Sequence, residues 1–334
     1  MKLGPIDTII LLGGGLVLKK LALWSKSQKI PIHIITSPRH SKELLEGESL
    51  KKFLENEKIN YLEIDDINSS SNLNFLNELK NPFYLSLGAP WIFKKETIYN
   101  YFNNQLFNSH GTRLPQNRGG GGFSWQILTG NRFGFSVLHL IDENLDTGDI
   151  IQFEEFLYPA TCRKPIDYIE ISTEKDFNFL VDFINKNKTT QSEIIRITQP
   201  EYLSSYWPRI YTDLNGWIDW SNESTEIEQF ICAFDNPYPG AKTLLNNETV
   251  IVKNVSLNKQ DGIFHSFQSG LIYRKGKDWL CVCVKGCGLI IEEIYDEKGN
   301  NIFDKIKIGD RLHTPTQLIQ ESKKRPIFTP KGLR

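Results

Sequence analysis

The chain has 334 residues, 40% of them hydrophobic, and a formal net charge of −1. This length allows a large core and more than one domain. The near-neutral charge provides no electrostatic basis for binding nucleic acid or an anionic membrane, so we predict neither as a partner. The N-terminal apolar run is broken by glycines 13–15 and ends at Lys19 and Lys20. We therefore predict no membrane span and a cytoplasmic location.

Alternating strands and helices are predicted in the first third of the chain. Residues 7–12 form a continuous apolar strand, which glycines 13–15 connect to a helix at 16–25. Further strands are predicted at residues 32–36, 61–64 and 83–87, and further helices at residues 41–56, 69–79 and 95–102. This order predicts an α/β fold with a Rossmann-like, doubly wound, mostly parallel sheet. Because position 18 is Leu, the glycine turn lacks the full dinucleotide fingerprint, and we expect no nicotinamide cofactor.

The remaining elements predict a second, smaller domain. Leu106 and Phe107 end a buried strand, and the later elements are a helix from 123, strands at 133–141 and 150–156, and an amphipathic helix at 173–188. Short strand-like runs then occur at residues 249–255, 271–273, 279–284 and 288–294. Their spacing predicts a small β-barrel-like (OB-like) domain. We divide the chain into an N-terminal domain at 1–200, a linker and helical segment at 201–241, a β-rich domain at 242–315 and a polar, basic surface tail at 316–334.

The five cysteines are an odd number, and they predict neither a disulfide framework nor a metal site. Cys281, Cys283 and Cys287 alternate with other residues in a strand-like run that matches no zinc-ligand spacing. We interpret them as reduced, structural thiols.

Asn108, His110 and Asp146 are the candidate catalytic residues. We place them on loops at strand ends, where open α/β sheets bind ligands. An imidazole with a pKa of about 6.5 can manage an amine proton near neutral pH. An asparagine amide can donate to an oxygen that gains charge, and a carboxylate can orient an imidazole and stabilise its cation. Together the three suit acyl transfer to an amine, although each alone is commonly a turn residue or a satisfied polar group.

The motifs around these residues resemble the folate-dependent formyltransferase family. The matching stretches are Asn108-Ser109-His110, Leu114-Pro115, Arg118-Gly119, Trp125, Gly134-Phe135-Ser136-Val137-Leu138-His139 and residues 145–150. The combined pattern is specific, whereas no single piece is. The resemblance implies a formyltransferase fold, catalysis by Asn108, His110 and Asp146, N10-formyltetrahydrofolate as the formyl donor and no metal.

The resemblance also implies which residues contact the folate. In the family, the loop after the fourth strand helps to hold the pterin, and Pro90, Trp91 and Ile92 occupy that position here. Plain core packing is an equal alternative for Trp91 and Ile92, and both can hold together. The acidic loop, with Asp142 and Leu145, is expected at the pterin edge. His139 is expected to pack behind the site.

Two features depart from the family pattern and are candidate acceptor contacts. Four consecutive glycines at 119–122 allow close backbone approach and offer free N–H groups. Gly120 and Gly121 are therefore candidates for holding a phosphate of the acceptor, with a flexible turn as the alternative. Arg113 is a second candidate for that phosphate, and its alternative is a solvated surface charge.

The acceptor is inferred from the linker and from charge. The stretch at 206–209 and the segment at 216–241 resemble the domain connection of tRNA and sugar formyltransferases, which the purine enzymes lack. A tRNA acceptor demands a basic face, whereas residues 37–47 are mixed in charge and residues 242–311 balance acid with base. We therefore predict an amino sugar carried on a nucleoside diphosphate, formylated for a bacterial surface polysaccharide such as O-antigen.

Other interpretations stay open. Methionyl-tRNA formyltransferase is the alternative enzyme, and a non-catalytic folate- or nucleotide-sugar-binding module is an alternative of another class. Trp207, Trp217 and Trp220 can stack on a nucleotide base or pack in a core. A homodimer is also plausible, and only the family resemblance suggests it.

Overall fold

The computed structural model describes residues 1–69, 72–329 and 332–333, and its first half is built on a seven-stranded sheet. The strands are β1 (Thr8–Gly13), β2 (Ile32–Thr36), β3 (Asn60–Glu63), β4 (Pro82–Leu87), β5 (Leu106–His110), β6 (Phe133–Leu140) and β7 (Ile150–Leu157). Their order is β3-β2-β1-β4-β5-β6-β7. Strands β1 to β5 are parallel, while β6 and β7 are antiparallel to their neighbours. The predicted Rossmann-like, mostly parallel sheet is confirmed.

The helices cover both faces of this sheet and connect it to the second domain. They are α1 (Leu16–Ser27), α2 (Pro38–Ser41), α3 (Leu50–Asn56), α4 (Lys95–Phe102), α5 (Gly122–Leu128), α6 (Pro165–Asn187), α7 (Thr212–Asn215), α8 (Ser224–Ala233) and α9 (Thr316–Ser322). Helix α6 begins eight residues before the predicted start at 173. Pro165 suits the first helical turn, and the Asp167 carboxylate accepts the backbone N–H groups of Arg163 and Lys164.

Two predicted helices are wrong. At 41–56, Glu46 and Gly47 adopt positive φ angles of 53° and 91° and close a tight hairpin between Leu44–Leu45 and Glu48–Ser49. Because left-handed backbone conformation interrupts a helix, only α3 remains of the predicted element. At 69–79, the structure has a 3-10 helix at Asn74–Glu78, and residues 70 and 71 lie outside the described residues.

Strand β1 explains why the N-terminal run is apolar at every position. Ile9 and Leu11 belong to the core that α1 and α6 cover, whereas Ile10 and Leu12 belong to the core that α4 covers. Successive side chains of a strand point to opposite faces, so a strand buried on both faces cannot alternate with polar residues.

The second domain is a curled, antiparallel, six-stranded sheet. Its strands are β8 (Ala241–Leu245), β9 (Glu248–Asn258), β10 (Ile272–Lys275), β11 (Leu280–Val284), β12 (Cys287–Asp296) and β13 (Leu312–His313), in the order β10-β11-β12-β9-β8-β13. The predicted β-barrel-like domain is confirmed, although β8 and β13 were missed as strands. One continuous core joins Ile127 of α5 and Tyr168 of α6 to the interior of this sheet. The two domains therefore pack directly on each other.

The C-terminal segment at 316–329 folds back onto the linker segment at 201–241. The Asn215 side chain donates to the carbonyls of Ser322 and Lys324, at 2.6 and 3.0 Å. The rings of Tyr211 and Phe328 have centroids 6.2 Å apart, and Pro326 is buried. Most of residues 316–329 are exposed, as expected of a surface tail, but these contacts attach the segment to Tyr211 and Asn215.

All five cysteines are buried and unpaired, which agrees with the predicted structural thiols. In the described residues, no helix combines the length and the apolar character needed to cross a bilayer.

Candidate active site

One cleft of about 610 Å³ contains all three candidate catalytic residues. It is lined by residues that follow β4, by the end of β5, by glycines 119–122, by the loop after β6, by Tyr206, Arg209, Ile210 and Thr212, and by residues 325–328. The sheet order reverses between β1 and β4, and doubly wound sheets commonly bind ligands beside such a reversal.

Asn108 and His110 lie in a strand rather than in the predicted loop. They belong to β5, where Asn108 is paired with Ser86 of β4 on one side and with His139 of β6 on the other. Pairing on both sides fixes the backbone of Asn108. The irregular chain begins only after His110.

His139 holds the side-chain amide of Asn108. The Nδ1 atom of His139 lies 2.7 Å from the Leu140 carbonyl oxygen, which can only accept, so Nδ1 carries the proton and Nε2 is an acceptor. The Nδ2 atom of Asn108 donates to this Nε2 at 3.0 Å. Burial lowers the pKa of His139 to about 4 and keeps the ring neutral near pH 7. One amide hydrogen of Asn108 is thus used for positioning, and the other stays available to a ligand.

His110 is oriented through its outer ring nitrogen. Its Nε2 atom lies 2.8 Å from the Asn117 carbonyl oxygen and 2.8 Å from the Thr112 hydroxyl. Because the carbonyl accepts, Nε2 carries the proton and Nδ1 has the free lone pair. Nδ1 is on the side of Asp146, 3.9 Å from Oδ2. This tautomer makes Nδ1 the atom that can accept a proton.

Asp146 lies near His110 but forms no hydrogen bond with it. Its Oδ2 atom accepts the backbone N–H of Gly119 at 2.9 Å, and its Oδ1 atom lies 3.7 Å from Nε2 of His139. Distances of 3.7 and 3.9 Å to the two imidazoles exceed hydrogen-bond length. The orienting role that the sequence suggested for Asp146 therefore falls to Thr112 and Asn117. A carboxylate at this distance still stabilises an imidazolium.

One ring nitrogen of His110, one ring nitrogen of His139 and one carboxylate oxygen of Asp146 lie within 4.8 Å of one another. Such a set can in principle bind a metal ion. The Nε2 atom of His139, however, already accepts the hydrogen of Asn108. The expectation of a metal-free site stays a prediction.

Four of the five residues expected at the folate line the cleft: Trp91, Ile92, Asp142 and Leu145. Pro90 does not. Trp91 is only 6% exposed and its Nε1 atom donates to the Asp65 carbonyl at 2.9 Å, so it packs in the core and lines the cleft at once. Asp142 accepts from the Asn144 backbone and from the Thr147 hydroxyl, and it thereby shapes its own loop.

The glycine run is explained by close packing rather than by flexibility. A Cβ at Gly119 would lie 2.1 Å from the Trp207 carbonyl oxygen, and one at Gly122 would lie 2.6 Å from Cγ2 of Thr112. Gly120 and Gly121 do line the cleft, as the acceptor hypothesis requires, and both pack against residues 208–210.

Arg113 is not brought to the site. Its exposed side chain places the guanidinium 5.9 Å from the centroid of the Phe135 ring, and it is not part of the cleft lining. The strand β5 ends at His110, and the turn that follows directs Arg113 away from the cleft.

Sequence reasoning missed the cleft residues Tyr206, Arg209 and Arg325. The stretch Tyr-Trp-Pro-Arg at 206–209 was noticed only as part of the linker. For Arg325, the only signal was an Arg-Pro-Ile-Phe sequence in an otherwise polar tail.

The three tryptophans proposed for base stacking pack elsewhere. The Trp207 ring lies against Trp125 with centroids 5.0 Å apart. Trp220 is buried and donates to Thr243, and Trp217 lies 5.0 Å from the Lys242 ammonium. None of the three lines the described cleft.

Comparison with known proteins points to one class. Residues 209–303 match the family model for the formyl transferase C-terminal domain. The chain is 28% identical over 194 residues to methionyl-tRNA formyltransferase from Desulfotalea psychrophila (strain LSv54 / DSM 12343), covering 57% of this chain and 56% of that protein. It is 27% identical over 281 residues to the bifunctional polymyxin resistance protein ArnA from Wigglesworthia glossinidia brevipalpis, covering 80% of this chain and 41% of that protein. The chain thus spans about half the length of these curated relatives.

Solved structures share the fold over most of the chain. The sugar 3N-formyl transferase WlaRD, in the presence of dTDP and 5-N-formyl-THF, aligns with a TM-score of 0.62 and 22% identity over 86% of this chain and 98% of that one. The N-formyltransferase from Helicobacter canadensis, in complex with folinic acid and dTDP-3-aminofucose, aligns with a TM-score of 0.63 and 20% identity over 86% and 99%. Together with the match at residues 209–303, these findings show that the chain has the formyltransferase fold.

Proposed function

We propose that this protein transfers a formyl group from N10-formyltetrahydrofolate to the amine of a nucleotide-linked amino sugar. The observation that carries the proposal is the cluster of Asn108, His110 and Asp146 in one cleft, with a free proton-accepting nitrogen on His110. A surface polysaccharide such as O-antigen is the expected destination of the product. A cytoplasmic location and a homodimer stay predictions.

The geometry supports a direct transfer. The acceptor amine attacks the formyl carbon, and its proton moves to Nδ1 of His110. Asp146 stabilises the imidazolium from 3.9 Å. The amide hydrogen of Asn108 that His139 does not use donates to the oxygen that becomes negative. The proton on His110 is then available to the departing nitrogen of the folate.

The folate would lie against Trp91, Ile92, Asp142 and Leu145, which line the same cleft as the catalytic cluster. Ile92 is 60% exposed and Leu145 41% exposed, so apolar surface is available to a flat ring. Two similar structures were determined with formylated folates, which supports this donor for the present chain.

Support for a sugar acceptor comes from charge and from the shared fold. The net charge is −1, whereas a tRNA acceptor calls for a basic surface. Of the two structures described above, one is a sugar 3N-formyl transferase and the other is an N-formyltransferase in complex with dTDP-3-aminofucose. Methionyl-tRNA formyltransferase is the second candidate, because most of the similar curated proteins carry that name.

A formyl-transfer assay tests the proposal. Purified protein would receive N10-formyltetrahydrofolate with a panel of dTDP-, UDP- and GDP-linked amino sugars, and separately with charged initiator tRNA. We expect folate turnover by absorbance and a formylated sugar by mass with at least one sugar. Activity on tRNA alone would make the second candidate correct. Folate binding without any transfer would favour a binding module.

A further inference from the structure

Two cationic side chains face the cleft without a carboxylate partner. Arg209 and Arg325 both line it and both are exposed. Four other arginines form ion pairs with carboxylates: Arg118, Arg163, Arg196 and Arg274. Among the described residues, neither Arg209 nor Arg325 forms such a pair. Their charges are therefore available to a ligand.

Aromatic rings hold both guanidinium groups in place. That of Arg209 lies 4.6 Å from the Phe328 ring centroid. That of Arg325 lies 5.1 Å from the Tyr206 ring centroid, and its Nη2 atom donates to the Tyr206 hydroxyl at 2.9 Å. A guanidinium that stacks on a ring can still donate from its edge, and Arg325 keeps further N–H groups besides the one used by Tyr206. The planar fork of these N–H groups matches phosphate oxygens. The contacts also cross-link residues 206–209 to residues 325–328.

A third arginine adds charge beside Arg209. Burial, and then the nearby charge of Arg209, lowers the pKa of Arg39 to about 10. Nη2 of Arg39 donates to Nε2 of His40 at 2.8 Å, so a neutral histidine positions it. Glu43 is the acidic group near both arginines, and burial raises its pKa. A single carboxylate does not neutralise two guanidinium groups, so the surroundings of Arg209 favour anions.

The two arginines are connected to the catalytic cluster through the glycine run. Gly119 binds Asp146 through its N–H and is paired with Trp207, and a Cβ at Gly120 would lie 3.1 Å from Cβ of Arg209. The stem of Arg209 and the carboxylate of Asp146 thus contact neighbouring glycines of the same run. This closeness suits an acceptor whose amine and phosphates belong to one small molecule.

We propose that Arg209 and Arg325 together bind the phosphate groups of the acceptor, and that residues 325–328 thereby make the enzyme selective for a diphosphate-linked amine. The inference rests on the proposed function and deepens it. Tyr206 is a positioning residue, because it acts through Arg325.

The test separates the acceptor from the folate. Calorimetry would measure dTDP, UDP and GDP binding, and in parallel folinic acid binding, for the wild type and for Arg209→Gln, Arg325→Gln, Arg325→Lys and Tyr206→Phe. Arg311→Gln is the matched control, since Arg311 also stacks on a ring, Phe267 at 5.5 Å, but lies outside the cleft. Thermal unfolding would show that every variant is folded.

We expect each Arg→Gln change to weaken the binding of the preferred nucleoside diphosphate at least about tenfold, with folinic acid binding unchanged. Arg325→Lys should recover only part of the affinity, because lysine keeps the charge but loses the fork. Tyr206→Phe should raise KM for the nucleotide sugar without changing kcat. Arg311→Gln should behave as the wild type.

Equal nucleoside diphosphate affinity in the wild type and both Arg→Gln variants would overturn this inference and leave the proposed reaction standing. A wild type that binds folinic acid but no nucleoside diphosphate would overturn both the inference and the sugar acceptor. The wild type could also formylate sugars with the same KM for the nucleotide sugar as Arg325→Gln. That result would reject the role of residues 325–328.

Discussion

The Nε2 atom of His139 accepts a hydrogen bond of 3.0 Å from Nδ2 of Asn108, and the Leu140 carbonyl fixes the tautomer that permits it. His139 is only 1% exposed at the back of the cleft. We therefore expect His139 to affect the reaction mainly through its hydrogen bond with Asn108.

Replacing His139 by Ala should lower kcat by about 10- to 100-fold with little change in KM for the folate. Loss of one oxyanion donor costs about 10²–10³ in rate, and a donor that is only misplaced should cost less. His139→Gln, whose amide oxygen can accept the same hydrogen bond, should recover much of the rate.

A double-mutant cycle checks that explanation. If His139 acts through Asn108, adding His139→Ala to Asn108→Ala should cost almost nothing more. Additive losses in steady-state kinetics would instead mean that the two residues act independently.

Asn108→Ala and His110→Ala should each reduce turnover at least about a hundredfold, because general acid–base help and an oxyanion donor are each worth about 10²–10³ or more. Circular dichroism should show an intact fold. Turnover near the wild-type rate in either variant would remove that residue from the mechanism.

Gly119→Ala should destabilise the fold and reduce activity. Gly119 has φ of 106°, and a Cβ there would lie 2.1 Å from the Trp207 carbonyl oxygen. Gly47 is the control, with φ of 91° and no atom within 4 Å of a Cβ. Gly47→Ala should cost only the backbone strain, about 1–2 kcal/mol. Urea unfolding should show a larger decrease in the free energy of unfolding for Gly119→Ala than for Gly47→Ala. Equal decreases for the two variants would mean that small backbone movements relieve the close contact with the Trp207 carbonyl.

Asp176 of α6 should make the protein less stable as pH rises. Its carboxylate accepts from the Ser136 hydroxyl, and burial raises its pKa from 3.8 to about 6. The folded state therefore binds this proton more tightly than the unfolded chain does. Stability contributed by the neutral acid is present below pH 4 and is lost as pH rises towards 6.

Asp176→Asn keeps the shape and the acceptor oxygen but removes the charge. We expect it to raise the free energy of unfolding at pH 7.5 by about 1–3 kcal/mol and to change it little at pH 4, since one pKa unit corresponds to about 1.4 kcal/mol. Urea titrations at the two pH values measure this difference. A destabilised variant at pH 7.5 would show that the charged form is favoured in the fold.

Arg113→Gln should leave formyl transfer and acceptor KM unchanged, because the side chain lies outside the cleft and stacks on Phe135. A raised KM for the acceptor in steady-state kinetics would restore the phosphate-binding role that the sequence suggested.

Local sequence patterns predicted the structure correctly where a single hydrophobic period or a single motif determines a strand or a site. The apolar run of β1 predicted a sheet covered on both faces, and the short strands after 248 predicted the curled second sheet. The motifs around Asn108, His110 and Asp146 predicted three residues that the fold brings into one cleft. The hairpin at Glu46 and Gly47 was missed because a left-handed backbone leaves no trace in hydrophobic periodicity.

The sequence by itself determined the parallel sheet, the second domain and the candidate residues, because strand period and short motifs are local properties. Only the tertiary structure decided that His139 holds Asn108, that Thr112 and Asn117 orient His110, and that Arg325 reaches the cleft. Arg325 and Tyr206 are 119 positions apart in the chain. Contacts of this kind depend on how distant segments of the chain pack together, and no local pattern encodes that packing.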